Sequence, residues 1–199
     1  MKIDLCYPKI PRPKSSQLYG RCAGFAKYDG TNLHWLIEDG QTTAFGTRRS
    51  RYPFEPGAMA AFGRDFHHGL TFAPYLYQGI EFNPPEGRVF LFTEYTGPNS
   101  FNGQHFDPDE DMRLVLFDIA VGDPSNLLPP DEFLATAEQL AWPDVAVEVY
   151  RGPYNGKITE AVRQGKYKEH SPEGVVFKGL NGRWRVKIKT DEFEARIRP

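Results

Sequence analysis

Lys27 and Asp29 place an amine and a carboxylate two positions apart, directly before Gly30, in the sequence KYDG. Residues two apart on an extended strand project to the same face, so the two groups are expected side by side at a strand end. An Asp-Gly dipeptide between two apolar segments predicts a tight hairpin turn, because both residues tolerate the positive φ that such a turn needs. A lysine amine at this place can act as a nucleophile once it is deprotonated. The alternative for Lys27 is an exposed lysine before a hairpin.

Cations recur in two further segments. The first segment, TRRSR, is predicted as a strand or turn, and its arginines are Arg48, Arg49 and Arg51. The second segment, GRWRVKIKT, alternates strictly and predicts a strand with two different faces. Its apolar face comprises Trp184, Val186 and Ile188, and its basic face comprises Arg183, Arg185, Lys187 and Lys189. A solvated surface would explain both groups, but four like charges along one face repel one another and are less common.

Three carboxylates stand in predicted strands or beside them. Glu94 shares a face of the strand 88–95 with two phenylalanines, an unfavourable place for a carboxylate unless it has a partner or turns to solvent at the strand end. Asp118 lies within a nearly continuous apolar run, where a structural hydrogen bond explains it as well as catalysis does. Glu173 and Lys178 point to opposite faces of a flat strand, unless Glu173 precedes the strand or a bulge intervenes.

The remaining pattern predicts one domain and is compatible with an α+β fold. Apolar runs of strand length alternate with three short helices, predicted at 58–69, 129–140 and 157–165. The segment 97–112 is rich in glycine, asparagine, aspartate and proline and is long enough to form a mobile flap. No internal repeat and no change in composition divides the chain.

Composition places the chain among ordinary globular proteins. It has 199 residues, of which 40% are hydrophobic and 25% charged, enough for one sizeable core. The formal net charge is −2, so binding of nucleic acid would depend on a local basic patch. Cys6 and Cys22 lack metal-ligand spacing and are expected to be reduced and structural. No signal peptide begins the chain and no apolar run is long enough to span a membrane, so the expected compartment is the cytoplasm.

Six motifs, in order along the chain, resemble the covalent nucleotidyltransferase superfamily of ATP-dependent DNA and RNA ligases and mRNA capping enzymes. The motifs are KYDGTN, TRRSR, FTEYTGP, LFDI, EGVVFKG and WRVKIK. The family signature is Lys-x-Asp-Gly, a mid-chain Glu, a Phe or Tyr strand, Glu-Gly-x-x-x-Lys and a closing Lys-x-Lys. Finer features of the RNA ligase 2-type branch are matched by Asn32, Gly97-Pro98 and Phe117-Asp118-Ile119. Each motif alone is weak, but six in the right order over nearly the whole chain make the resemblance specific.

The resemblance implies a layered fold and a role for each residue. Two mostly antiparallel sheets, with helices on their outer faces, would hold an ATP cleft between them. Lys27 would attack the α-phosphate of ATP and become a lysyl-AMP, in a field of cations that favours the neutral amine. Glu173 would bind Mg²⁺ or Mn²⁺, Glu94 would hold the ribose hydroxyl, and Phe117 would stack on adenine. The other residues of the implied site contact the nucleotide or its phosphates: Asp29, Asn32, Arg49, Lys178, Lys187 and Lys189.

The implied function is that of an ATP-dependent RNA ligase in RNA repair. AMP would pass from Lys27 to the 5′-phosphate of nicked or broken RNA, or of an RNA/DNA hybrid, and a 3′-hydroxyl would then displace AMP and seal the strand. Whether Arg48 or Arg49 is the site arginine stays open, with Arg49 preferred. The alternatives are a DNA-specific minimal ligase, a GTP-dependent capping guanylyltransferase and a nucleotide-dependent binding module.

The domain content bears on the partners that we expect. Residues 1–199 are predicted to be a nucleotidyltransferase domain alone, without the OB-fold or helical domain that follows it in the family. A partner protein would then supply contacts to RNA, and no membrane is expected to take part.

Overall fold

The computed structural model describes residues 6–14, 19–65, 72–97, 100 and 111–197. Within these residues, nine strands form two antiparallel sheets, and five helices accompany them, which confirms the α+β class. The strands are β1 Arg21–Lys27, β2 Thr31–Glu38, β3 Gln41–Thr47, β4 Tyr52–Pro53, β5 Arg88–Thr96, β6 Arg113–Val121, β7 Glu148–Pro153, β8 Gly174–Gly179 and β9 Arg185–Lys189. The helices are α1 Pro56–Asp65, α2 Ala73–Gln78, α3 Pro130–Gln139, α4 Gly156–Arg163 and α5 Asp191–Ile197.

The three predicted helices correspond to α1, α3 and α4, with boundaries shifted by a few residues. The predicted end of the first helix, at Gly69, and most of the predicted flap at 97–112 lie outside the described residues. None of the described helices is long and apolar enough to cross a membrane.

The chain divides into two compact units, each built on one sheet. Unit 1 comprises Met1–Pro8, Asp29–Leu128 and Phe133–Val145, and unit 2 comprises Lys9–Tyr28, Pro129–Glu132 and Ala146–Pro199. Unit 1 holds the five-stranded sheet, in the order β4-β3-β2-β5-β6. Unit 2 holds the four-stranded sheet, in the order β7-β1-β8-β9.

Aromatic rings fill the core on one face of the unit 1 sheet. Trp35 of β2 is fully buried, stacks on Tyr77 of α2 with 4.0 Å between ring centroids, and donates a hydrogen bond from Nε1 to Thr93. Phe62 of α1 packs edge-on against Phe45 of β3. Because side chains alternate along a strand, the opposite face of β5 carries its even-numbered residues, including Glu94.

The core of unit 2 lies on the face of its sheet that carries no cations. One apolar cluster joins strands β1, β8 and β9 to helix α4: Cys22, Val175, Phe177, Val186, Ile188, Ile158 and Val162. Helix α4 begins after Asn155, whose side chain accepts a hydrogen bond from the N–H of Ile158 and so satisfies one free donor of the first turn. Burial of this face leaves the other face of the sheet to the charged residues of the same strands.

The hairpin predicted at Asp29-Gly30 is wrong. Strand β1 pairs with β7 and β8, strand β2 pairs with β3 and β5, and the two strands do not pair with each other. Gly30 is needed for a close approach instead, because a Cβ there would lie 2.1 Å from the carbonyl oxygen of Tyr95. The other Asp-Gly of this region, Asp39-Gly40, forms the tight turn between β2 and β3, with φ of 49° and 76°.

Candidate functional site

Lys27 is the last residue of β1, and its amine contacts Glu173. Nζ of Lys27 lies 2.7 Å from Oε2 of Glu173, and Nζ of Lys189 lies 2.8 Å from Oε1 of the same carboxylate. The side chain of Glu173 is 3% exposed, whereas those of Lys27 and Lys189 are 20% and 19% exposed. A buried carboxylate is tolerated here because two ammonium groups compensate its charge. Three residues taken from separate motifs are therefore in direct contact.

The register of the strands explains why these residues meet. Lys27 on one side of β8 and Lys189 on the other are both paired with Gly174. Residues directly opposite each other in a sheet share a face, so both lysines emerge on the same face. Gly174 has a φ of +144°, and a Cβ there would lie 2.0 Å from the carbonyl oxygen of Ile188, so only glycine fits. Glu173 precedes β8, which is the first of the two arrangements that the sequence allowed.

The same face of the unit 2 sheet carries three further cations, Lys178, Arg185 and Lys187. Val176 pairs with Lys187 and Lys178 pairs with Arg185, so these cations follow Lys189 along the face. Lys178 is 1% exposed, and its Nζ lies 4.6 Å from the ring centroid of Phe25. It stands four residues along β8 from Gly174, roughly 13 Å at the rise of a strand, and is not part of the Lys27 cluster. A sheet face with this charge attracts an anionic ligand.

Two buried hydroxyl residues that the sequence prediction missed hold the segment before β8. Oγ of Ser171 accepts a hydrogen bond from the backbone N–H of Lys27 at 2.8 Å and donates one to the carbonyl oxygen of Gly174. Oγ1 of Thr190 donates to the carbonyl oxygen of Pro172 at 2.9 Å, and the N–H of Thr190 donates to that of Glu173 at 3.0 Å. Their only signal in the sequence is that each stands within two residues of a motif residue.

Unit 1 holds the other predicted residues, among them Asp29, which is half-buried. Asn32 of β2 and Glu94 of β5 lie directly opposite each other and are also half-buried. Oδ1 of Asn32 is buried and has no hydrogen-bond partner within the described part of the chain. An unsatisfied buried amide oxygen is costly, which is typical of a position that a ligand completes.

Phe117 stands at a β-bulge. Phe92 pairs with Asp118 and Thr93 pairs with Leu116, so Phe117 is the extra residue between them. A bulge turns a side chain away from the direction that alternation would give it. The ring of Tyr7 meets Phe117 edge-on, with 5.1 Å between centroids, and the Tyr7 hydroxyl donates to Asp118 at 2.7 Å. The buried Asp118 is therefore explained by a structural hydrogen bond, one of the two alternatives left by the sequence.

The two adjacent arginines after β3 differ in their surroundings. Arg48 lies over the ring of Tyr7, 5.8 Å from its centroid, and donates from Nη2 to the carbonyl oxygen of Pro8 at 3.1 Å. Arg49 is exposed and makes no ion pair with any residue that the structure describes. Arg48 is thus engaged in holding the segment of Tyr7, and Arg49 is available to a ligand.

Comparison with known proteins rests on structure, since no protein-family model and no curated protein sequence matches this chain. A mutant of the Naegleria gruberi RNA ligase solved with ATP and Mn aligns with 98% of the chain, at a TM-score of 0.68 and 16% identity. The chain has the nucleotidyltransferase fold of RNA ligases. An archaeal ATP-dependent RNA ligase aligns with 96% of the chain at a TM-score of 0.63 and 20% identity. The Naegleria enzyme with PPi gives 0.63 and 15% over 98% of the chain.

The RNA ligase structures align with almost the whole of this chain, but this chain aligns with only part of each RNA ligase. The chain spans 60% of the length of the Naegleria RNA ligase and 49% of the archaeal RNA ligase. The Naegleria enzyme has been solved with ATP and Mn, with AMP and Mn, and with PPi. At sequence identities this low, structural similarity shows the fold. The chemistry of this chain depends on its own residues.

Proposed function

We propose that this protein is an ATP-dependent RNA ligase whose nucleophile is Lys27. The observation that carries the proposal is the cluster of Lys27, Glu173 and Lys189 at a strand end of an RNA ligase fold. The neutral amine of Lys27 attacks the α-phosphorus of ATP and forms a P–N bond. The bond from that phosphorus to the bridging oxygen breaks, pyrophosphate leaves, and the amine gives up a proton to solvent.

Glu173 suits a magnesium or manganese ion. No group of three or more His, Cys, Asp or Glu side chains that could hold a metal ion occurs among the described residues, and Glu173 is the carboxylate that we assign to the ion. Mg²⁺ in nucleotide enzymes is usually held by one or two carboxylates together with water and substrate phosphates, and a single buried glutamate fits that pattern. Bound to Glu173, such an ion would supply positive charge to the α-phosphate.

The remaining assignments belong to the same proposal. Phe117, presented at its bulge, stacks on adenine, and Glu94 accepts a hydrogen bond from the ribose. Three residues complete the nucleotide and metal environment: Asp29, Asn32 and Arg49. Lys187 and Lys189 of the unit 2 face bind the phosphates, and Lys178, which is buried farther along the same face, contacts the nucleotide.

The later steps use the lysyl-AMP. A 5′-phosphate of RNA displaces Lys27 from phosphorus and gives a 5′–5′ pyrophosphate link, and a 3′-hydroxyl then displaces AMP and seals the strand. We place this chemistry in the cytoplasm, on nicked RNA or an RNA/DNA hybrid, with the chain acting as one nucleotidyltransferase domain. The proposal includes a partner protein that assists the sealing step.

Sealing of a nicked duplex tests this function. The protein, Mg²⁺ and ATP are incubated with duplexes that carry a nick in an RNA strand or in a DNA strand, and GTP replaces ATP in a parallel set. We expect AMP-capped and sealed RNA with ATP only. Sealing of the DNA nick alone would favour a DNA ligase, protein labelled only from GTP would favour capping chemistry, and nucleotide binding without transfer would favour a binding module.

A further inference from the structure

The whole chain has a near-neutral net charge, but its two units carry net charges of opposite sign. Unit 2 contains seventeen lysines and arginines against nine aspartates and glutamates, a formal net charge of +8. Unit 1 contains seven against seventeen, a net charge of −10, and the two values add to the −2 of the whole chain. A positive unit of this kind attracts polyanions in spite of the neutral total. The low net charge therefore does not argue against binding of nucleic acid.

One end of the unit 2 sheet carries a cluster of half-buried aromatic rings. It lies where β1 and β9 begin and β7 and β8 end, at the opposite end from Lys27. Tyr19, Tyr154 and Trp184 are in mutual contact there, with ring centroids 4.8 to 5.6 Å apart. Gly179 makes room for the indole, because a Cβ there would lie 2.5 Å from Nε1 of Trp184. Aromatic rings that keep an accessible part are platforms on which bases stack.

Exposed cations lie on the same chain segments as these rings. The backbone N–H of Lys14 donates to the Tyr19 hydroxyl at 3.1 Å, the carbonyl oxygen of Arg21 accepts from Leu180, and Arg183 directly precedes Trp184. The three side chains are exposed, and none of them forms an ion pair within the part of the chain that the structure describes. Cations that no carboxylate neutralises are available to phosphates.

We propose that this end of unit 2, made of Tyr19, Tyr154, Trp184, Lys14, Arg21 and Arg183, binds a single strand of RNA. The inference rests on the proposed ligase function and names a surface for an unpaired segment of its RNA substrate. Bases stack on the aromatic rings, and backbone phosphates pair with the three cations. β8 runs from Gly174 to Gly179, roughly 17 Å, so this surface lies at the far end of the sheet from Lys27.

Anisotropy of a fluorescent oligouridylate dodecamer tests the surface, measured at several salt concentrations. The test variant is the double substitution Arg21→Ala/Arg183→Ala, and Arg64→Ala, an exposed arginine of α1 in unit 1, is the matched control. The double variant should bind about tenfold more weakly or worse, and its slope of log affinity against log salt should fall by about two, one for each phosphate contact. The control should match the wild type.

Tryptophan fluorescence gives a second readout, which purely electrostatic binding of RNA would leave unchanged. Trp35 and Trp142 are 0% and 5% exposed, so quenching by RNA reports on Trp184. We expect the dodecamer to quench the emission and a uridine dinucleotide to do so only at much higher concentration. Absence of wild-type binding, an unchanged double variant, or saturation without quenching would each overturn the surface.

Failure of the surface and failure of the ligase assignment are separable. Self-adenylation with labelled ATP is measured on the same wild-type preparation. If the protein takes up label but Arg21 and Arg183 contribute nothing to RNA binding, the proposed RNA-binding surface is wrong and the ligase assignment stands. Protein that binds RNA through these residues but takes up no label overturns the ligase assignment and leaves an RNA-binding surface.

Discussion

Oε2 of Glu173 lies 2.7 Å from Nζ of Lys27, so the proposed nucleophile starts as one half of an ion pair. An ammonium group has no lone pair with which to attack phosphorus. Glu173 therefore has two opposed effects on Lys27: it fixes the position of the nitrogen, and it favours the form that cannot react. Attack requires Lys27 to leave this carboxylate, and a cation that competes for Glu173 would promote that departure.

Substitution of Glu173 by Gln separates the two effects. Glutamine has nearly the same size but no charge, so it can neither hold the ammonium as strongly nor bind a divalent ion well. We expect self-adenylation to fall by roughly 10²-fold or more, as for loss of a charge that stabilises a transition state. The Mg²⁺ concentration that gives half-maximal labelling should rise.

The matched control for this experiment is Glu192→Gln on α5, whose carboxylate is 55% exposed. It should label like the wild type. Labelling of Glu173→Gln at or above the wild-type rate at every Mg²⁺ concentration would mean that Glu173 only restrains Lys27.

Ser171 is predicted to position the nucleophile without touching the nucleotide. Ser171→Ala removes the acceptor of the Lys27 backbone N–H, so the free energy of unfolding should fall by about 1 to 3 kcal/mol. The labelling rate at saturating ATP should fall while the KM for ATP stays near the wild-type value. Urea unfolding and labelling kinetics measure the two effects, with the exposed Ser125→Ala as control. A change confined to KM would assign Ser171 to nucleotide binding instead.

Arg48 and Arg49 should give opposite results on substitution. Arg48→Ala removes a hydrogen bond to Pro8 and a contact with the ring of Tyr7, so it should lower stability by about 1 kcal/mol. Arg49→Ala removes an exposed cation, so it should leave stability within about 0.5 kcal/mol and slow self-adenylation. Thermal unfolding and labelling of both variants decide between them. Slower labelling by folded Arg48→Ala alone would make Arg48 the arginine of the site.

Because His34 is buried, we predict that the folded protein loses stability in mild acid. It is fully buried, its Nδ1 is 3.0 Å from the carbonyl oxygen of Thr47, and Arg51 donates to its Nε2 at 3.3 Å. Burial first, and then the charge of Arg51, lower the pKa of His34 to about 3. The unfolded chain therefore binds the extra proton between about pH 6.5 and pH 3, and the stability present above pH 6.5 is lost as the pH falls.

Urea unfolding at neutral pH and at about pH 5 measures this loss. The wild type should lose about 2 kcal/mol from this group, at ~1.4 kcal/mol per pH unit below 6.5. His34→Gln should lose that much less, and His170→Gln, at an exposed position, should behave as the wild type. An equal loss in His34→Gln and the wild type would exclude His34 as the cause.

Local sequence pattern was enough to predict which side chains of β9 face the core and which face the other way. The strict alternation of β9 placed Val186 and Ile188 on the core face and Lys187 and Lys189 on the other, because a period of two follows from strand geometry alone. The α+β class followed from the same patterns and from the resemblance of the motifs.

Local sequence pattern could not predict how strands that are distant along the chain pair with each other. The two Asp-Gly dipeptides look alike in sequence, but only Asp39-Gly40 forms a hairpin, since β1 finds its partners more than a hundred residues later. The bulge at Phe117 depends on the register between β5 and β6, and the role of Ser171 depends on a contact across 144 residues. The bulge leaves no signal in the residues near it, and the only signal of Ser171 is its place two residues before Glu173.

The most direct test of the account is covalent labelling of Lys27→Arg. Wild-type protein is incubated with Mg²⁺ and ATP labelled at the α-phosphate, denatured, and examined for bound label. Arginine keeps the cation that pairs with Glu173 but stays protonated, so the variant should fold and take up no label, while Lys189→Arg should still be labelled, at a reduced rate. Label on Lys27→Arg equal to that on the wild type would contradict the assignment of Lys27 as the nucleophile.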